Sequence, residues 1–240
     1  MKKTNKYLVF VGAALCLASC DLGDGQNEEI ISKRPNMVVA GVNAMAAKLN
    51  TFGTISDDAN TYHNDYGVAA VSQFLEQGGQ DMPCTTSGYN WFATAQNYSD
   101  RLYTFYNHMK TANDVLVLTE GTKDETMLVY RGQALAARAY DLMNLAQIYQ
   151  FTYKGHEDAL CVPIITENMT EEEMQNNPRA TVQQVYDQIM KDLNEAVTLL
   201  SGYDNGSSKD KIDEATAYGL RARANLLMQN WAEAAKDAAK

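Results

Sequence analysis

Three groups of residues have the types and spacing to do chemistry. Leu17-Ala18-Ser19-Cys20 sets an aliphatic residue and two small ones directly before a thiol. Small side chains let a processing enzyme bring its catalytic groups against the backbone, so this order suits lipidation of Cys20 and cleavage before it. Cys16 competes, but Leu15 precedes it where a small residue is needed. The second group is Tyr89-Asn90-Trp91-Phe92, with Asp81 and Asn97 as weaker members. Aromatic faces of this kind stack on the C–H-rich side of a pyranose while amides and carboxylates exchange hydrogen bonds with its hydroxyls. Packing of Trp91 and Phe92 against neighbouring helices is the competing reading. The third group, Asp57, Asp58, Asn60 and Asp65 near His63, gathers oxygen donors. Its spacing misses the Asp-x-Asp-x-Asp-Gly calcium loop, so a solvated turn and no metal are expected.

Catalytic signatures are missing from the sequence. There is no His-Glu-x-x-His, no Gly-x-Ser-x-Gly and no phosphate loop, and the three histidines are scattered. A glycosidase needs two carboxylates across a cleft, whereas Asp187, Asp192 and Glu195 fall on the polar side of a helical pattern. Neither an enzyme nor a cofactor is expected. Lys2, Lys3 and Lys6 lead into an apolar run over 7–18, the layout of a secretory signal and too short for a permanent span. Loss of residues 1–19 removes three lysines and no acid, moving the net charge from −10 to −13. So acidic a chain excludes nucleic acid as a partner, because phosphate binding needs basic patches. Cys84 and Cys161 then remain, far apart in sequence, and are expected to be free and buried rather than bridged.

These residues must be positioned by elements that hydropathy outlines. Residues 20–30 are polar and acidic and read as a flexible tether. From Asn36 to Leu49 apolar residues recur at three and four positions, which predicts a helix. The interval 54–99, rich in Asp, Asn, Gly, Tyr and Ser, reads as ordered loops with one short helix over Val68 to Leu75. Helices are predicted from about Asp100 through Leu116, from Asp124 to about Tyr149, and from Thr181 to Leu200, the last opened by a Thr181/Gln184 capping box. The connection Gly155–Pro178 is expected to be long and exposed.

Ala137-Arg138-Ala139 with Leu142-Met143 recurs 85 residues later as Ala222-Arg223-Ala224 with Leu227-Met228. The second copy continues into Trp231-Ala232-Glu233-Ala234, the turn and aromatic that link the two helices of a tetratricopeptide unit. Trp231 is therefore expected to pack between helices. The chain stops at Lys240 inside that second helix, where a polar capping helix would follow, and this predicts a truncated chain. An all-α, tetratricopeptide-like scaffold with a loop-rich insertion is the expected fold, over 31–240.

Arg131-Gly-Gln-Ala-Leu-Ala-Ala-Arg-Ala-Tyr, Val162-Pro163-Ile164 and Arg179-Ala-Thr-Val-Gln-Gln-Val-Tyr follow the Cys20 motif in order. With Asn64-Asp-Tyr-Gly, Gln80-Asp81, Tyr89-Asn-Trp-Phe and Tyr106 with Ala112-Asn113, this series resembles the SusD/RagB family of Bacteroidetes nutrient-binding lipoproteins. The stretch Phe151-Thr-Tyr-Lys-Gly-His departs from it, standing where the family has a short turn. The resemblance implies a lipid-anchored outer-membrane protein facing the cell exterior. It would sit over a SusC-like TonB-dependent transporter and capture oligosaccharide or another nutrient without cleaving it. The acids Asp21, Asp24, Glu28 and Glu29 resemble the signal that sends such proteins to the outer face. A helical protein-interaction scaffold is the alternative, and a surface glycosidase a more distant one.

Overall fold

The computed structural model describes residues 24–49 and 95–240 except Lys209, with side chains for 34–48 and from 105 onward. The chain divides into two compact units, 1–37 and 38–240, and all packing described below lies within the second. Its elements are α1 (Asp24–Leu49), α2 (Ala95–Leu118), α3 (Glu125–Tyr149), the short α4 (Glu171–Gln175), α5 (Val182–Leu199), α6 (Glu214–Leu227) and α7 (Trp231–Ala238). Among the described residues the only extended pairing is one antiparallel bridge, Leu160 with Thr181.

α5 is strongly two-faced. Thr181 accepts from the Gln184 amide at 3.2 Å, and the Gln184 side chain accepts from the Thr181 amide at 2.8 Å. This capping box satisfies two amides that the first turn leaves open. Val182, Val185, Tyr186, Ile189, Leu193 and Ala196 are all buried along one stripe, each large aliphatic worth about 1.5–3 kcal/mol of transfer free energy. That stripe packs mainly on α3. α3 starts at the Asp124 cap, whose carboxylate accepts from the Met127 amide at 2.9 Å. It is buried nearly all round from Gly132 to Ala146 because α2 covers one side and α5 another. Small residues permit this: a Cβ at Gly132 would stand 2.8 Å from Leu200 Cγ, closer than two carbons can approach.

α6 and α7 form the second helix pair and α6 also packs on α5. The repeated apolar positions hold their role, with Ala137, Ala139, Ala222 and Ala224 all buried. The arginines between them do not, since Arg138 is buried and Arg223 exposed. Each helix pair is instead joined by its own two-pronged arginine–aspartate contact. Arg138 grips Asp192 on α5, and Arg221 grips Asp237 on α7 through Nε and Nη2 at 2.7 and 2.6 Å.

Three expectations change. α1 begins at Asp24, so 24–30 is helical where a flexible tether was expected; Asp24, Glu28 and Glu29 fall in its first two turns, where acids oppose the positive end of the helix dipole. The helix also runs through Pro35, which withholds a single backbone donor rather than ending it. The 155–178 connection is partly buried at Cys161 and Val162, because Cys161 N donates to Ala180 O at 2.7 Å and Ala180 N to Val162 O at 3.1 Å. Trp231 is 61% exposed rather than packed. Ala234 and Asp237 form the buried stripe of α7, and at about 100° per residue Trp231 lies roughly a quarter turn from its centre.

Candidate functional site

Cys20, Asp81, Tyr89, Asn90, Trp91 and Phe92 lie outside the described residues, as do Cys84 and the Asp57–Asp65 cluster. Asn97 stands in the first turn of α2. What the structure supplies is the frame from which the 50–94 segment departs and to which it returns. Near the end of α1, Lys48 Nζ donates to Asn107 O at 3.2 Å, Asn107 Oδ1 at 3.1 Å and Thr111 Oγ1 at 2.6 Å, all on α2. Burial lowers the Lys48 pKa, with Lys110 adding to the effect. One turn deeper, His108 bridges α1, α2 and α3: Nε2 donates to Met45 O at 3.1 Å, and Nδ1 is hydrogen-bonded to Asp141 Oδ2 at 2.6 Å. A gap between α1 and Val115 on α2 is closed at Gly41, where a Cβ would meet Val115 Cγ2 at 2.6 Å. The end of α1, from which the 50–94 segment departs, is therefore fastened to α2 and α3.

The connection after α3 is tied to the same frame. Tyr106 Oη donates to Pro163 O at 2.6 Å and Asn113 Nδ2 to Ile165 O at 3.2 Å. Arg138 Nη1 donates to Asn113 Oδ1 at 3.0 Å and to Glu167. Burial opposes the Arg138 charge, but Asp192 and Glu167 more than offset it and hold the guanidinium protonated. Tyr153 sits against Tyr186 edge-on, centroids 4.9 Å apart, while Phe151, 77% exposed, leans on His156 at 5.5 Å. The Phe151–His156 stretch thus has one aromatic in the core and one in solvent.

Among the described residues, titratable groups with displaced pKa values do not meet in a cleft. Burial raises the free Cys161 thiol and pushes Tyr186 up to about 12, both away from neutrality. Asp141 is pushed up to about 6 by burial, with His108 pulling it back, but it is 0% exposed and out of reach of any ligand. Among the described residues no group of three His, Cys, Asp or Glu is placed to hold a metal ion. Among them, too, no helix is long and apolar enough to cross a membrane.

One opening does occur, between the N-terminal turn of α3 and the loop that joins α5 to α6. It measures about 230 Å³ and is lined by Glu125, Thr126, Val129, Tyr130, Tyr203 and Lys211. Sequence reasoning passed over it. The available signal was Tyr203 in the polar run Ser201-Gly-Tyr-Asp-Asn-Gly, an aromatic in a loop like those of 89–92.

The described elements define an all-α scaffold of the tetratricopeptide kind, with polar and aromatic groups carried on its connections. Residues 28–226 match the SusD-like family described as starch-binding and associating with the outer membrane, and the chain belongs to that family. A SusD-like carbohydrate-binding protein from Bacteroides vulgatus superposes with a TM-score of 0.68 at 25% identity, covering 86% of this chain and 43% of that one. A SusD superfamily protein from Bacteroides thetaiotaomicron gives 0.63 at 20% identity, covering 85% and 46%. A laminarin-binding SusD-like protein gives 0.51 at 19% identity, covering 86% and 42%. The chain thus spans less than half the length of these structures. No curated protein matches it.

Proposed function

We propose that this protein captures a glycan at the bacterial surface, held to the outer membrane by lipid on Cys20, and delivers it to a SusC-like TonB-dependent transporter without cleaving it. The family match over 28–226 carries the reading. Lys48 and His108 fasten the end of α1 to α2 and α3, so the chain enters the 50–94 segment from a packed helix end. A binding role also agrees with the placement of Asp141 and Cys161, whose displaced pKa values arise in the core rather than at an accessible cleft.

Calorimetric titration of the protein with laminarin fragments and malto-oligosaccharides tests capture. Saturable binding with the glycan recovered intact is expected, and Trp91→Ala should weaken it about tenfold, near the upper range for one aromatic contact. Unchanged affinity in that variant would move the site off residues 89–92, and release of reducing ends would defeat the binding-only reading. For the anchor, Cys20→Ala should shift the protein from the membrane fraction to the soluble fraction and abolish incorporation of labelled palmitate. Retention in the membrane would show that another segment holds it there.

A further inference from the structure

We infer that the cavity between α3 and the α5–α6 loop is a second carbohydrate subsite that takes a single pyranose ring, separate from the 89–92 segment. Its volume of about 230 Å³ falls just below the roughly 300–1,000 Å³ of sites for drug-sized ligands, which suits one small ring. Val129 supplies an apolar surface that packs on the buried Val197, Leu200 and Ala217, and Tyr130 and Tyr203 add two half-buried phenol rings. Glu125, Thr126 and Lys211 bring a carboxylate, a hydroxyl and an ammonium to the same opening. Among the described residues none of the five polar side chains at this opening makes a hydrogen bond or ion pair with the protein. Glu125 and Lys211 cancel in charge, so the complementary ligand is neutral, rich in hydroxyls and apolar on its C–H faces. A pyranose meets all three conditions.

The walls are built before any ligand arrives. Tyr203 N donates to Leu200 O at 2.9 Å, Tyr203 O accepts from Glu214 N at 3.1 Å, and Glu214 Oε2 takes the Gly202 amide at 3.0 Å. That contact holds Gly202 at a φ of 79°, a value suited to glycine. On the opposite side Asn205 Nδ2 donates to Lys211 O at 2.9 Å, and Gln133 Nε2 reaches from α3 to Ile212 O at 2.9 Å. The loop is therefore stitched to both α3 and α6, and little entropy remains to be lost on binding.

The choice of ligand class rests on the glycan-capture reading, so the test separates the two. Protein labelled with fluorotyrosine is titrated with glucose, maltotriose and laminaritriose in the Trp91→Ala background. Resonances of Tyr130 and Tyr203 are assigned by Tyr130→Phe and Tyr203→Phe. Both should shift saturably at millimolar sugar, and Tyr203→Ala should weaken the Tyr130 response at least tenfold with the circular dichroism spectrum unchanged. If other signals respond while these two stay fixed, the subsite is refuted and capture stands. If no signal responds and the unmutated protein also ignores every sugar, both readings fall. A response to glycine or lysine but not to sugars would overturn the assigned ligand class.

Discussion

Arg138→Met is expected to lower the unfolding free energy by about 3–5 kcal/mol, the cost of leaving a buried ion without its partner. Arg138 and Asp192 are 2% and 1% exposed, and the guanidinium meets the carboxylate squarely, Nε to Oδ2 at 2.7 Å and Nη2 to Oδ1 at 2.8 Å. Without it Asp192 keeps one donor, Gln188 Nε2 at 2.8 Å, and Glu167 and Asn113 lose theirs. The damage should spread along the 159–167 connection, which Arg138 ties to α2 and α5. Lysine offers a point charge and cannot make the two-pronged contact, so Arg138→Lys should recover only part of the loss. The double variant Arg138→Met/Asp192→Leu should be more stable than Arg138→Met, because removing both charges deletes the desolvation penalty together with the attraction. Urea denaturation at pH 7 measures all three. A loss under about 1 kcal/mol for Arg138→Met would refute the account, since that is what an exposed pair contributes.

The same variant should flatten an acid-side slope. Burial raises the Glu167 pKa, but the attraction of Arg138 outweighs it and leaves Glu167 below the usual glutamate value. A depressed folded pKa means stability present above the unfolded value and lost as pH falls through the folded one. Arg138→Met removes the cause of the depression.

Legibility in the sequence followed the way each element is packed. α5 shows its stripe and its capping box because one side is wet and the other dry, so hydropathy alone outlines Val182 to Leu199. α3 is covered from two sides, and its polar residues Gln133, Arg138 and Asp141 lie in the core. Their partners stand far away in sequence, Ile212 for Gln133, Asp192 for Arg138 and His108 for Asp141, and no periodicity carries such pairings. Asp192 shows the consequence: helical spacing assigned it to the wet side, whereas the arginine opposite draws it inward. Trp231 failed differently. The motif fixes an aromatic at the start of the second helix, but which way it points depends on the register of Ala234 and Asp237 against α6. The start of α1 was hidden because residues 24–30 are polar and acidic and carry no apolar repeat. Of the candidate ligand residues, sequence could name the types in 89–92, while the cavity at Tyr203 needed α3 and the α5–α6 loop brought together in space.

His108→Leu should cost about 3–5 kcal/mol at pH 7, and most of that should be recoverable by acid or by a second substitution. Asp141 is fully buried, one of its oxygens already lacks a hydrogen-bond partner, and His108 is the group that serves the other at 2.6 Å. Replacing the imidazole takes away the hydrogen bond that Asp141 Oδ2 makes and leaves Met45 O without the ring N–H that ties α1 to α2. The pH sign follows from Asp141 itself. Burial, opposed by His108, puts its folded pKa at about 6 against an ordinary 3.8. The folded state therefore holds this proton more tightly, so the stability it contributes is complete below about pH 4 and lost as pH rises through about 6. Without His108 the downward pull disappears and the folded value climbs further, extending the window upward. Acidification from pH 7 to 5 should then stabilise His108→Leu by about 1.4 kcal/mol per pH unit, more than it stabilises the unmodified protein. Adding Asp141→Leu should abolish this extra slope and raise stability at pH 7, because no buried carboxylate remains to be neutralised. Paired thermal and urea unfolding at pH 5 and 7 decides it: a His108→Leu penalty equal at both values would mean that Asp141 gains water when the ring is removed, and that the pair does not fasten α1 to α2 and α3.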